Sequence, residues 1–423
     1  ITSFLKKVPF QQKKSRKYYD IKLEVPTISP PKGKDTLSTQ EGFGRILVEL
    51  ARSEAELVKR IVTTSPDVTV STNLGGWINS KGIFNRNLIP SSRQESELQS
   101  FQKWEQKPSG QHFELGIAEN NLFLMLAAMG LSHELFSKRL IPIATLYDPF
   151  IYRGLDALNY ACYQDARFIL VATPSGISLA PEGGAHQSIG TPLVSMVQDG
   201  LAAFEPSYVD ELATILEWSF EYIQRDGSGE NTSEWLRDSN GGSVYLRLST
   251  RPINQLKRNL SREQRIAIID GGYWVIEPHK NAELALIYSG AVVPEVLEAF
   301  EIIQEDMPGT GLLAVTSSDR LNAGWQAAKR SRHHGGSRTV SLVEKLLEPL
   351  AQNATLVTIL DGHPATLSWL GGVRGHCVES LGVEHFGQSG SLDDLYRHYG
   401  LDTQTIIDAC TSAYLNIHGY YDR

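Results

Sequence analysis

The spacing of apolar and polar positions changes period several times along the chain, and each change marks an element. Ser38-Thr39-Gln40-Glu41 has capping-box spacing and opens an amphipathic stretch that reads as a helix to about residue 64. Residues 67–71 alternate polar and β-branched side chains, as a half-buried strand does. Residues 110–116 read as a short strand entering a Gly turn, and 122–131, rich in Leu, Met and Ala, as the helix that follows. Apolar runs at 140–145, 168–173 and 243–248 predict further strands. Pro142 counts against the first of these, because it has no N–H for a central ladder. Helical patterns fall between them at 153–163 and 208–224. Strands alternating with helices predict a mostly parallel sheet covered on both faces.

The pattern restarts after a polar linker at 259–264. Strands are predicted at 284–288, 312–316, 354–359 and 377–381, and helices at 294–303, 392–399 and 403–414. The fold class expected is therefore α/β, with two doubly wound, mostly parallel-sheet domains at 39–258 and 259–423. The Gly/Ser-rich segment 225–242 reads as a surface excursion. Residues 1–38 read as an arm or solvated linker, basic through Lys6, Lys7, Lys13, Lys14, Arg16 and Lys17 and stiffened by Pro26, Pro30 and Pro31. The chain starts at Ile1, which fits a piece of a longer protein or a processed product.

Composition narrows the class. A chain of 423 residues is too long for one ordinary core. Its 41% hydrophobic and 21% charged residues are those of a soluble globular protein. A net charge of −8 argues against a general nucleic-acid role. No apolar run has the length of a membrane span and no signal-peptide pattern opens the chain. The three cysteines, Cys162, Cys377 and Cys410, lie far apart with no C-x-x-C pair, so neither a disulfide framework nor a zinc cluster is indicated, and a cytoplasmic protein is expected.

In open parallel sheets, ligands bind at the carboxyl ends of the strands, so the loops there are where chemistry is expected. The first is Gly116-Ile117-Ala118-Glu119. A Glu in a largely apolar first helical turn sits in the field of backbone N–H groups with little water around it. Such a residue caps the helix or holds a proton for a ligand. The others are Ser71 to Trp77, Tyr147-Asp148-Pro149-Phe150-Ile151-Tyr152-Arg153, and Glu182-Gly183-Gly184-Ala185-His186-Gln187-Ser188. Taken singly, a Gly pair is usually a turn, an aromatic cluster usually core, and a loop His usually solvated.

In order and spacing, Gly116 to Glu119, Tyr147-x-x-Phe150-x-x-Arg153 and Glu182 to Gln187 resemble the pyrimidine-binding domain of thiamine diphosphate enzymes of the transketolase superfamily. Val315 to Leu321, Leu381 to Ser391 and Leu395 to Tyr399 resemble C-terminal segments of homodimeric-type pyruvate (2-oxo acid) dehydrogenase E1 components. The resemblance implies oxidative decarboxylation of a 2-oxo acid, pyruvate or a near homologue, with the acyl unit passed to a lipoyl acyltransferase E2 partner. It implies that Glu119 serves ring N1′ of thiamine diphosphate, that Phe150 stacks on the aminopyrimidine, that Tyr147 and Arg153 flank it, and that His186 acts on the substrate side. Glu182 and Gln187 are candidates to orient His186, and Asn73 and Trp77 to line the cofactor pocket. His376, His385 and His398 read as structural or surface residues.

The family holds the diphosphate through Mg2+ on a Gly-Asp-Gly sequence followed by an Asn, and this sequence contains no Gly-Asp-Gly. The expectation is half of a site: no metal ligands here, a diphosphate-binding domain or subunit as partner, and a homodimer through this chain. Transketolase-like two-carbon transfer and a non-catalytic assembly module of the same fold are the alternatives. A transfer enzyme needs basic residues for a substrate phosphate, and no convincing cluster of them is present.

Overall fold

The β-branched run Ile61-Val62-Thr63-Thr64 forms a central strand, Ile61–Ser65, of an eight-stranded parallel sheet. A computed structural model of the chain describes residues 2–5, 22–87, 104–227, 238–335 and 339–417. The sheet runs, in spatial order, Gln106–Lys107, Ile83–Phe84, His112–Glu114, Ile61–Ser65, Ile141–Leu146, Ile169–Ala172, Ser243–Arg247 and Leu201–Phe204. Apolar clusters lie on both of its faces. Ile141 and Ile143 join one cluster with Phe43, Leu47 and Leu212, whereas Ala144 and Leu146 join the other with Leu122, Leu126 and Leu158. This alternation is what a strand buried on both faces requires.

Several expectations shift. Ser38 does cap a helix, accepting from the Glu41 N–H, but that helix is Thr39–Ala51 and a second, Glu56–Arg60, precedes the strand. The strand expected at 67–71 lies instead at Ile61–Ser65, and Asp67 and Asn73 both adopt positive φ in the turns that follow. Pro142 sits inside a fully buried central strand, paired opposite Val62; burial of the apolar run outweighs one missing donor. The excursion at 225–242 lies outside the described residues over 228–237, as do the arm lysines and Arg16. The second half of the arm is not a solvated linker. The Ile28 N–H donates to Glu217 at 2.7 Å, and Thr36–Leu37 pairs antiparallel with Ile253–Asn254.

Residues 259–264 are likewise more than a linker, since Ser261 opens helix Arg262–Asp270 with a reciprocal capping box to Gln264. The second sheet has the order Gly272–Ile276, Gly311–Val315, Ala282–Ser289, Leu350–Leu360 and Cys377–Leu381. Its first pair is antiparallel and the rest are parallel. The first sheet's edge strand, Leu201–Phe204, is covered by this second unit. Asp319 accepts from the Ala203 N–H, Ser317 donates to the Ala203 carbonyl, and the Glu205 N–H reaches the Thr316 carbonyl at 2.8 Å. An edge so occupied offers no ladder for stray pairing. Among the described residues, no helix is long and apolar enough to cross a membrane.

Candidate active site

Three parallel strands, His112–Glu114 and, beyond the intervening Ile61–Ser65, Ile141–Leu146 and Ile169–Ala172, end on one side of the sheet and feed the loops that carry the candidate residues. Glu119 is the first residue of helix Glu119–Gly130. The cap residue is Ala118, which has no side-chain acceptor, and the Glu119 carboxylate accepts from an Arg153 guanidinium N–H rather than serving as a cap. The carboxylate is only 8% exposed, while the Arg153 side chain is 51% exposed. Two turns of chemistry meet there because Gly154 lets the backbones approach. A Cβ at Gly154 would lie 2.3 Å from Phe123 Cδ2 and 3.2 Å from Asn120 Cα on the Glu119 helix.

Strand Ile141–Leu146 runs into a 3-10 helix, Asp148–Gly154, which presents the aromatic residues. Tyr147 and Phe150 lie nearly parallel, with ring centroids 5.8 Å apart and 7° between planes. The guanidinium carbon of Arg153 stands 3.8 Å from the Phe150 ring centroid, a close cation–π contact. His186, in the short 3-10 turn Gly184–His186, sets its ring edge-on to both aromatics, 5.8 Å from Tyr147 and 5.6 Å from Phe150. Its Nδ1 is shielded from solvent and finds no hydrogen-bond partner among the described residues. Glu119, Tyr147, Phe150, Arg153 and His186 are therefore brought together.

Asn73 is not. Its side chain donates to Gln40 Oε1 at 3.0 Å, and it borders an open cavity of about 320 Å³ against helix Thr39–Ala51, with Arg45, Glu49 and Gly76. Trp77 is fully buried in the apolar core instead of lining a pocket. Neither Glu182 nor Gln187 orients His186. Glu182 is exposed, and Gln187 Nε2 donates to the carbonyls of Ala180 and, at 2.9 Å, Gln388. Of the remaining histidines, His376 is buried, His385 is exposed, and His398 packs edge-on against Tyr399.

Beneath the site lies a charge network that the sequence reading missed. Asp148, fully buried, accepts from Ser188, Thr191 and Tyr245 hydroxyls and from Arg247 Nε, the last at 2.9 Å. Arg247, whose side chain is 1% exposed, also donates to Glu205 and, at 2.8 Å, to the Asp361 carbonyl. The Asp361 carboxylate takes the backbone N–H groups of Ile177 and Ser178 at 2.8 and 2.9 Å. Burial disfavours the Arg247 charge, but Glu205 and Asp148 more than offset it and hold its pKa above the usual guanidinium range. Burial pushes the Glu205 carboxyl up to about 7 against the pull of Arg247, with Asp361 and Asp148 adding to the rise. Asp361 belongs to the second sheet's unit, so this network clamps the 177–188 loop between the two units. The loop after Cys377–Leu381 completes the clamp, since a Cβ at Gly184 would lie 2.2 Å from the Gly387 carbonyl oxygen.

Residues 35–228 match the model of the transketolase pyrimidine-binding domain, and residues 271–402 that of the transketolase-like C-terminal domain. The chain thus belongs to the transketolase superfamily of thiamine diphosphate enzymes, of which it carries these two domains in sequence. Among curated relatives, it is 26% identical over 390 residues to a pyruvate dehydrogenase E1 component of Mycolicibacterium smegmatis, covering 89% of this chain and 40% of that protein. The chain accordingly spans well under half of that relative's length. The fold matches transketolase from Campylobacter jejuni with a TM-score of 0.65 at 16% identity, covering 91% of this chain and 48% of the other. It also matches a split-gene transketolase, an inactive β4 tetramer, with a TM-score of 0.56 at 17% identity, covering 89% of this chain and 98% of that one.

Proposed function

We propose that this chain supplies the aminopyrimidine half of a thiamine diphosphate site in an E1 component that decarboxylates a 2-oxo acid, pyruvate or a close homologue. The observation that carries the reading is the convergence of Glu119, Phe150 and His186: a nearly buried carboxylate, an aromatic face and a ring nitrogen with unused hydrogen-bonding capacity, all at one mouth of the sheet. These residues fit an aminopyrimidine. Glu119 is suited to share a proton at ring N1′. Phe150 offers a stacking surface, a contact worth on the order of 1 kcal/mol that also fixes a ring plane. His186 is suited to hold a substrate carboxylate or to move a proton at the substrate oxygen. When bound, the cofactor supplies the carbon nucleophile for the substrate's keto group. The buried Asp148–Arg247 pair holds the start of the aromatic segment, so that Phe150 is presented by a rigid base.

The diphosphate and Mg2+ are assigned in this reading to a separate diphosphate-binding domain or subunit. The sequence has no Gly-Asp-Gly, and among the described residues no group of three or more His, Cys, Asp or Glu side chains is arranged to hold a metal ion. Ile117, Leu124, Tyr160 and Tyr163 are exposed on and beside the Glu119 helix, which supports contact with another subunit or a second copy close to the site. The split-gene relative, inactive as a tetramer, supports the same division of labour. An E2 acyltransferase partner follows from the E1 reading. Calorimetry with thiamine diphosphate and Mg2+ tests the half-site. The chain alone is expected to show little or no affinity, and tight binding by the chain alone overturns the division.

A further inference from the structure

The Arg153 guanidinium makes the same two contacts that the preceding reading gives to an aminopyrimidine. It is planar, it lies 3.8 Å from the Phe150 ring centroid, and it donates an N–H to the Glu119 carboxylate. Both contacts belong to the same receptor pair, and a ring engaging both would meet the guanidinium. We propose that Arg153 is a resident stand-in for the cofactor ring: it occupies the Glu119–Phe150 seat and must swing out before an aminopyrimidine enters. The proposal rests on the reading of Glu119 and Phe150 as the ring's receptors.

The physical need for a stand-in is clear. A carboxylate on a side chain only 8% exposed, with no other side-chain partner among the described residues, is costly to leave unpaired, and an empty seat beside it is costly to leave dry. An Arg suits the task because its fork donates to a carboxylate while its flat face stacks on an aromatic ring. It also leaves readily. The side chain is half exposed, so its head group can exchange Glu119 for water while its long stem swings aside. His186 differs in kind: its orphaned Nδ1 lies across Phe150 and is satisfied by nothing in the Arg-occupied seat. The stand-in thus fills the ring-binding half of the pocket and leaves the substrate-facing half unmet.

A seat occupied by an internal competitor binds its ligand with an affinity reduced by the fraction of time it stands open. The probe is 4-amino-2,5-dimethylpyrimidine, which lacks both the thiazolium and the diphosphate and so needs no second domain. Its binding to the whole chain is followed by ligand-observed NMR titration. Arg153→Met, which keeps the aliphatic stem but has no donors, and Arg153→Ala are each expected to bind the probe roughly tenfold more tightly than the native chain. Arg153→Lys, which keeps the charge but not the flat fork, is expected to fall between. Equal or weaker binding by both Met and Ala variants, or no measurable binding by either, overturns the stand-in. Glu119→Gln separates this from the underlying reading. If the Gln variant binds the probe as well as the native chain, the assignment of Glu119 to the ring fails. If it loses binding while Arg153→Met gains none, only the stand-in fails. Without probe, thermal unfolding supplies a second readout: the effects of Arg153→Met and Glu119→Gln are expected to be strongly non-additive, and additive shifts in melting temperature count against the pairing.

Discussion

Asp148 and Phe150 are two residues apart, yet they belong to regions built on opposite principles. Around Asp148, polar groups are fully enclosed and nearly every donor and acceptor is matched: three hydroxyls and a guanidinium converge on one carboxylate. Around Phe150, the groups are open and underemployed. Arg153 is half exposed, and the nitrogen of His186 has no partner among the described residues. The difference teaches where rigidity and capacity are kept apart. A saturated network gives a segment one conformation, and a set of unsatisfied groups standing on that segment is free to engage a ligand. The network is also where the two structural units meet, so the second unit, far in sequence from Glu119, still sets the position of the His186 loop.

The sharpest way to break this contrast is to remove its hub. Arg247→Met leaves Asp148 and Glu205 buried without their shared cation. The expected loss is about 3–5 kcal/mol of folding stability, the scale for breaking one side of a buried ion pair. Chemical denaturation measures it, and a loss below about 1 kcal/mol means that the network does not act as a scaffold. On the open side the converse holds. Glu119→Gln is expected to change folding stability little beyond its pairing with Arg153. In an assembly with the proposed diphosphate-binding partner, the same change is expected to slow hydrogen–deuterium exchange at C2 of bound thiamine diphosphate by roughly 10²–10⁴-fold. An unchanged exchange rate removes Glu119 from that role.

The two regions also differ in how far the sequence exposed them. That Glu119, Tyr147, Phe150, Arg153 and His186 lie together was legible, because a motif needs its residues at short, fixed spacings. Asn73 stands apart from that group: it sits on the right kind of loop, but the chain turns through positive φ there and points its amide at Gln40. The network was illegible for another reason. Its partners are remote, with Arg247 lying 99 residues from Asp148 and 114 from Asp361. One signal was available, an Arg closing the apolar strand Ser243–Arg247, since a charge in such a run needs a buried carboxylate. Elements followed the same rule. The caps at Ser38 and Ser261 are local and were readable as helix starts or polar breaks. The edge strand Leu201–Phe204 is short and weakly patterned, and it is held by Ser317 and Asp319 from the second unit. The start of strand Ile61–Ser65 was masked by Glu56–Arg60, a helix that continues the preceding amphipathic pattern.

A smaller effect sharpens the account of the buried side, because the network carries more acid than base. Asp148, Glu205 and Asp361 surround one guanidinium, so a proton retained on one of them lowers the imbalance. Glu205, with 14% of its side chain exposed, is the acid pushed up to about 7, from an ordinary value of 4.5. Its folded state therefore holds the proton more tightly than the unfolded state does. The stability this confers is full below about pH 4.5 and is lost as pH rises through about 7, after which it stays flat. Glu205→Gln keeps the shape and a neutral acceptor for Arg247 but cannot titrate. The difference in unfolding free energy between the native chain and this variant is expected to shift by about 1–3 kcal/mol against the native chain between pH 5 and pH 8. Denaturation midpoints at the two pH values measure it. A difference that stays constant with pH means that Glu205 is ionised throughout, and that the single guanidinium balances its carboxylates without help from a retained proton.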